Sequence, residues 1–573
     1  MNKNIVKELT REGCIVAKEA AESLKESDVE AIRSLDSTPM YISETMLENI
    51  RKKTSQQSNG HKLKEKPVPT ANGGSTTQQL KTPSKEDSKT ESVPESKTDS
   101  SDISNNSGLD QQKSDSKDSL DDKVDTDKLN NDVKSEKKNQ NSENRQGNNT
   151  HQIAQSKGVK IMDDRERKEL RTKVEIMDET EVSRDQKDVP EFLKYYNDRY
   201  DKMRKLLTHR MELQSATTIN RLERRDKGEE ATTVGLVKSK YQTNSGKYIV
   251  ELEDKTGTFK ALVGDREGNR IVPDEMIGVI GSMGGDIIYA DSIVRADMPI
   301  PQGMNTTNQK VAAAYISDLH IGSKDTMHDK LNDFGDWLSS SKANNVGYLV
   351  ITGDVVEGVG TYPGQEEELE VKDIYKQYNL FEKWVEERVP DDLQIIIGPG
   401  NHDITRLAEP QPKLPEKVFP TIKDFNNVHL VQNPQTVRLH GIESKGIKNL
   451  MYHGYSFDDH ADQIQELREK GYEHPHHIMI DLLKRRHLAP TYGSNSLSPE
   501  GQDSLVIEEE PDVFVSGHFH SHSNETYKGV NVINSSTFQA QTDFQKRVGH
   551  EPDPGKVTIV DYKTRNTKVK KFI

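Results

Sequence analysis

The sequence predicts a multi-domain protein: an α/β domain in the C-terminal half, preceded by a small β-barrel, a helical lead-in, a polar tether and a small helical N-terminal unit. Three observations predict it. Apolar runs in the second half end repeatedly in glycine-bearing turns rich in Asp, Asn and His. Short alternating segments separated by glycine turns lie just before them. A tract from about 52 to 160, almost devoid of apolar residues, separates both from the N-terminus.

Length and composition agree with that division. At 573 residues the chain is too long for one core. Hydrophobic and charged residues each make up 31%, and mean hydropathy is -0.88, too polar for a chain folded throughout. The lone Cys14 excludes a disulfide framework and a cysteine-rich zinc module. It fits a reducing compartment. No apolar run approaches a membrane span and the N-terminus lacks a signal-peptide core, so a cytoplasmic protein with no membrane partner is expected. The net charge of -15 does not decide whether nucleic acid is a partner, because bound cations reverse the field around a carboxylate site.

Residues 1–50 carry Ile5, Val6, Leu9, Ile15, Val16 and Ala20 at rough helical spacing. Ser27 and Glu30 form a capping-box pattern ahead of Val29, Ile32 and Leu35, and a third helix is expected from Ser43. Between 51 and 165 the composition turns to Ser, Lys, Asp, Asn, Gln and Thr, and no aromatic residue occurs between Tyr41 and Phe192. Such a stretch buries too little surface to offset chain entropy, so a disordered linker is expected. The lead-in, 166–228, places Phe192, Leu193, Tyr196, Tyr200, Met203, Leu206 and Leu207 on an apolar stripe.

Over 229–300 the period becomes two: Val234, Leu236, Tyr248, Val250, Leu252, Phe259, Ala261 and Val263 alternate with polar residues. Turns fall at Asn244-Ser245-Gly246, Lys255-Thr256-Gly257 and Gly284-Gly285, which predicts an OB-type barrel. Lys238, Lys240, Tyr241, Lys247 and Tyr248 offer a basic, aromatic face suited to single-stranded nucleic acid; a barrel used only for protein contacts fits as well.

Residues 308–573 hold the densest chemistry. Val311–Ile316 ends in Ser317-Asp318-Leu319-His320, and Tyr348–Ile351 runs into Thr352-Gly353-Asp354. Leu393–Ile397 leads to Gly400-Asn401-His402-Asp403, Met451-Tyr452 to His453-Gly454, and Val513–Val515 to Gly517-His518-Phe519-His520. Open α/β sheets place their sites at the carboxyl ends of strands, so five such turns point to one locus. Two divalent ions about 3.5–4 Å apart need a bridging carboxylate within a shell of carboxylate, imidazole and amide donors. Asp318 and His320, two apart on an extended turn, and His520 suit the first ion; Asn401, His453 and His518 suit the second; Asp354 is placed to bridge them. His402 is the candidate general acid, with Asp403 to orient its ring. Singly, each fragment also reads as a core histidine or a turn aspartate; together, in this order, they point to a metal centre.

This ordered set resembles the calcineurin-like metallophosphoesterases, which implies a two-sheet sandwich flanked by helices. Tyr362-Pro363-Gly364-Gln365-Glu366, and Ala408-Glu409-Pro410-Gln411-Pro412 after Arg406, are similar to segments of the small subunits of archaeal family D DNA polymerases, also called DNA polymerase II. The resemblance implies a partner in a large catalytic polymerase subunit, DNA as substrate, and 3′→5′ exonuclease activity with two divalent ions, manganese preferred and magnesium the other option. In related accessory subunits of eukaryotic replicative polymerases the ligand positions are lost and the domain is a scaffold; a scaffold with a relict site is therefore the alternative here. A protein phosphatase is disfavoured by Val355-Val356-Glu357 after Gly353-Asp354 and by Asp403 where a glutamate is usual, and a free-standing repair nuclease by the barrel and the proline-rich segments. Arg406 is a candidate phosphate contact or a structural ion pair; Arg485 and Arg486, near Tyr492, are candidate DNA contacts or a solvated charge cluster. Tyr362 and Pro363 are assigned either to a pocket wall or to a partner interface.

Overall fold

A computed structural model describes residues 15–16, 24–33, 41–42, 51, 170–179 and 189–572, apart from 472, 494 and 495. The chain divides into two compact units, 1–143 and 144–573. In the first, α1 (Glu26–Arg33) begins at Glu26, so Ser27 lies within its first turn rather than capping it. Asp28 accepts instead from the Lys25 backbone N–H at 2.9 Å, and its carboxylate also meets Arg51. Ile15 and Val16, expected to be helical, form β1 (Ile15–Val16) parallel to β2 (Tyr41–Ile42). The rest of the expected first and third helices, and the tether except its first residue, lie outside the described residues.

The second unit opens with a departure from the helical lead-in: β3 (Val174–Met177) pairs antiparallel with a strand at 435–439. The 20-residue α2 (Val189–Thr208) follows. Its buried side is Tyr195, Arg199, Tyr200, Met203 and Leu207, while Leu193 of the expected stripe is 62% exposed. Tyr200, Met203 and Leu207 pack on Val234, Leu236 and Met276 of the barrel.

The barrel consists of β4 (Glu230–Gln242), β5 (Tyr248–Asp254), β6 (Gly257–Val263), β7 (Met276–Met283) and β8 (Ile287–Val294), closed in the order β4-β5-β6-β8-β7. All its pairs are antiparallel except β6 with β8. Val250, Leu252, Phe259, Ala261 and Val263, alternating as period two requires, fill its interior.

Two six-stranded sheets form the rest. The first runs β12 (Val428–Leu430), β11 (Gln394–Gly398), β10 (Val346–Thr352), β9 (Ala312–Ile316), β18 (Lys556–Asp561), β19 (Thr567–Lys571). The second runs β16 (Ser523–Tyr527), β17 (Val530–Asn534), β15 (Val513–Ser516), β14 (Ile447–Met451), β13 (Gln435–Leu439), β3. Strands β9 to β12 are parallel, as are β14, β15 and β17. Parallel strands covered on both faces need continuous apolar sequence, and the fully buried β9, β10 and β15 have it. On β9, Ala313 and Tyr315 meet Met451, Val513, Val515 and Ile533 of the second sheet. Ala312, Ala314 and Ile316 face the other way, toward α3 (His328–Leu338) and α4 (Ile374–Arg388) through Phe334, Leu338, Phe381 and Trp384. The outer face of the second sheet is covered by α5 (Phe457–Gln463) and α6 (His476–Arg485). No helix among the described residues is long and apolar enough to cross a membrane.

Buried charge ties these parts together. Arg199, 1% exposed, donates to Asp503 at 2.6 Å and to the Pro490 carbonyl at 2.6 Å, and Tyr195 and Asp274 accept further bonds. His487 shares the Asp503 oxygen at 2.9 Å. Removing one partner of such a pair strands the other in low dielectric, so Arg199→Ala is expected to cost about 3–5 kcal/mol. Arg210→Ala, which removes a solvent-facing pair with Glu212, should cost less than about 1 kcal/mol. Thermal unfolding of the two variants checks the contrast. Burial and the neighbouring Arg199 push His487 down to about 4. Because that lies below the unfolded value near 6.5, its contribution is complete above about pH 6.5 and is lost as pH falls toward 4. The unfolding midpoint should therefore drop more between pH 7 and 5 in the parent protein than in His487→Gln.

Candidate metal centre

Each turn at the carboxyl end of β9, β10, β11, β14 and β15 brings one or more of the sequence-selected residues to the same end of the sandwich. The chain there is bent into the left-handed region: φ is +55° at Asp318, +47° at His320, +49° at Asp354, +72° at His518 and +54° at His520. Left-handed non-glycine residues cost about 1 kcal/mol or more each and persist where surrounding contacts over-determine them, as at binding sites. The glycines beside them answer to crowding. A Cβ on Gly353 (φ +87°) would stand 2.5 Å from His453 Nδ1, and one on Gly517 would collide with Ser317 Oγ.

The donors converge. Asp318, His320 and His520 each offer a ligand atom within 4.8 Å of the others, as do Asp318, Asp354 and His453. His320 Nε2 is 3.0 Å from His520 Nε2 and 3.8 Å from an oxygen of Asp354. His453 Nε2 is 3.2 Å from Asp354 Oδ2 and 3.0 Å from Asn401 Oδ1. The His518 ring centroid lies 5.3 Å from that of His453. Its Nε2 meets Asp458 at 2.9 Å, and its backbone N–H donates to Asp318.

The electrostatics of the cluster follow from its burial. Burial opposes charge on Asp318 and Asp354, yet the imidazoles around them hold both below the usual carboxylate range. Burial likewise opposes protonation of His453, but the Asp354 charge lifts it to about 9. His320 is raised despite its burial by Asp318, Glu357 and Asp354, whereas burial keeps His520 below the ordinary value. Protons on the imidazoles thus supply part of the positive charge that the buried carboxylates require. Buried carboxylates with mixed nitrogen and oxygen donors are the shell that divalent transition ions take, so these residues fit such ions.

Several supports were not evident from sequence. Glu357 is buried and holds His320 Nδ1 at 2.9 Å. It is itself held by Gln539 at 2.9 Å and Gln365 at 3.1 Å, and despite burial His320 draws it down to about 2. It also joins His320 and His402 in a third donor group. The Thr352 carbonyl fixes His453 Nδ1 at 2.9 Å, and Gln545 lies 3.0 Å from His520 Nδ1. A carboxylate three residues beyond Asp354 was the available signal for Glu357; nothing in sequence marks Gln545 or Asp458.

Asp403 does not orient His402. The His402 Nδ1 pairs with the Glu357 backbone carbonyl at 2.8 Å. The Asp403 carboxylate instead accepts from the N–H groups of Gly400, Val355 and Val356 and from Tyr378 Oη, so it clamps the Asp354 loop to the Asn401 loop. Burial and the nearby Asp354 raise it to about 6. Two of the candidate DNA contacts are internal. Arg485, 2% exposed, pairs with Asp481 and with Glu275 of the barrel. Arg486, 1% exposed, is the left-handed C-cap of α6 and donates to the Ile507 carbonyl and Glu510. A helix ending in consecutive cations reads as a solvated face, and only the packing of the barrel on Arg485 and of the 507–510 segment on Arg486 reveals otherwise. Arg406 pairs with Glu500 at 2.6 Å and with the Pro410 carbonyl, the structural role. Lys247 is exposed, and half-buried Tyr248 bonds Asn269 under the Lys240 ammonium; neither lines the cavity at the cluster. Tyr362 and Pro363 do line it.

Carboxylates that orient a ligating histidine typically contribute 10- to 100-fold to metal affinity. Glu357→Gln, which keeps the shape, is expected to weaken manganese binding by about that factor with an unchanged circular-dichroism spectrum; titration calorimetry checks it.

The family model for the B subunits of DNA polymerases alpha and epsilon matches residues 313–525. The chain is similar to the DNA polymerase II small subunit of Methanocaldococcus jannaschii, 37% identical over 417 residues, covering 69% of this chain and 68% of that one. It is also similar to those of Halobacterium salinarum, 38% identical over 390 residues with 67% and 75% covered, and Archaeoglobus fulgidus, 38% over 399 residues with 67% and 78% covered. Likeness of that extent places this chain in the family of archaeal DNA polymerase II small subunits.

Proposed function

We propose that the α/β domain is a working metallophosphoesterase that shortens DNA in the 3′→5′ direction, and that the chain proofreads beside a large catalytic subunit during template-directed synthesis. The observation that carries this reading is the cluster itself: Asp318, His320, Asp354, Asn401, His453 and His520 within one set of short contacts, with His518 beside His453. Three buried carboxylates among imidazoles are costly to desolvate without a cation to compensate them, which favours a working site over a relict one. Two bound divalent ions, manganese by preference and magnesium as the alternative, would supply an activated water and charge for the phosphoryl oxygens.

The chain's own groups do the rest. The Nδ1–H of His402 is committed to the Glu357 carbonyl, which leaves Nε2 to exchange a proton, and the residue lines the cavity over the cluster. It hands that proton to the leaving 3′ oxygen. Tyr362, 6.3 Å from the His402 ring between centroids, forms the adjoining wall. We also read the barrel as OB-type, supported by its strand order and single parallel pair. On this division the phosphoesterase domain comprises 308–573 with the strand at 174–177 added to its sheet.

The test is cleavage of 5′-labelled single-stranded DNA by the purified chain. Manganese should give stepwise shortening, EDTA none, and His402→Ala a rate lower by about 100- to 10,000-fold with metal binding retained. Metal bound without shortening would leave a scaffold subunit.

A further inference from the structure

The cavity over the ligand cluster measures about 920 Å³ and is lined on one side by α7 (Asp543–Val548). This short helix is held at both ends, by a capping box between Thr542 and Gln545 and by a left-handed Gly549. Gln545 points inward to His520 Nδ1 at 3.0 Å, so the position of the helix is registered to the ligand set. Its outward face is apolar and exposed. Phe544 is 56% exposed and Val548 59% exposed. Four residues apart, they share one face. Arg547, between them, is exposed and makes no ion pair among the described residues. Large apolar groups on the rim of a charged cleft mark a surface that expects an apolar partner.

We infer that the Phe544–Val548 face of α7 seats the base of the nucleotide being removed, with Arg547 meeting the backbone phosphate that follows it. This rests on the nuclease reading above for the identity of the ligand. An aromatic ring and an aliphatic group presented together match the face of a nucleobase whatever its identity, and the ligand cluster in the same cavity takes the phosphodiester. Paired bases keep their faces stacked within the duplex, so the seat admits only an unpaired 3′ end. A mismatched terminus, which frays, is selected by that requirement alone, with no contact that reads sequence.

The experiment uses the full-length chain carrying His402→Ala with manganese present, and fluorescence anisotropy of a 5′-labelled oligothymidylate. The 3′-terminal nucleotide either bears its base or is abasic. A stacking contact of the usual strength makes the base-bearing end bind about tenfold more tightly. Phe544→Ala should bring the ratio of the two dissociation constants to about 1, and Phe544→Trp should restore it. A ratio near 1 before any change at Phe544, or one that survives Phe544→Ala, overturns the seat. If the ratio behaves as expected but the wild-type chain fails to shorten DNA, the nuclease reading falls and the seat stands. If DNA is shortened while the ratio stays near 1, the seat falls and the nuclease stands.

Discussion

Three carboxylates, Asp318, Asp354 and Glu357, are buried together at one end of the sandwich, and the structure around them answers that unfavourable concentration of negative charge. Desolvating an ion costs several kcal/mol unless opposite charge and hydrogen bonds replace the water. The imidazoles do this only in part. His320 and His453 are pulled into their charged form, but His520, buried and 3.0 Å from His320, is not. Protons on neighbouring rings repel one another, so a cluster of histidines reaches its limit before the carboxylates are neutralised. Divalent cations held by these residues would meet that limit differently, bringing two charges to one point with the imidazoles as neutral ligands.

The same requirement explains the architecture. Asp318, Asp354 and Asn401 come from the first sheet and His453, His518 and His520 from the second, so the cluster exists only when the two sheets pack. That packing is Tyr315, Val350 and Ile396 against Met451, Val515 and Ile533. Left-handed backbone at five ligand positions turns the side chains across the strand ends, and the Asp403 clamp joins two of the loops. Asp403 is itself raised to about 6 next to Asp354, so near neutral pH it is mostly ionised, and the N–H groups of Gly400, Val355 and Val356 and the Tyr378 hydroxyl answer its charge. Under the proposed function, sandwich stability and metal affinity would be linked, since whatever separates the sheets also separates the proposed ligands.

How much of this could be read in sequence depended on whether a feature is local. Parallel strands buried on both faces are continuous apolar runs, and the turns that end them sit next to them in sequence, so Asp318, Asp354, Asn401, His453, His518 and His520 could be named from motif and order. The alternation from Val234 to Val263 exposed the barrel in the same way. What could not be read depends on long-range partners. The strand at 174–177 is recruited by β13, more than 250 residues away, and its four residues carry no turn signal strong enough to separate them from the helix that follows. Arg485 and Arg486 look solvent-facing until Glu275 of the barrel and Glu510 are placed against them. Asp403 sits beside His402 in sequence, but the turn sends its carboxylate to four donors on the other side of the loop. Adjacency in sequence is a poor guide to which atoms a turn points at each other.

These misread arginines bear on how a chain of net charge -15 would hold a polyanion. Arg199, Arg406, Arg485 and Arg486 are all committed to internal carboxylates and carbonyls, where they join the helix α2, the barrel and the two sheets. Fully ordered cations of that kind give rigidity and contribute little to long-range attraction, because each is compensated where it stands. Under the proposed function, bound ions would supply positive charge at the cleft, and Arg547, which lines the same cavity, adds to it. A site built this way attracts phosphate only when loaded, and it confines the attraction to one end of the sandwich. Under the same reading, a 3′ end is drawn to the strand ends of the sandwich rather than held by these four internal arginines.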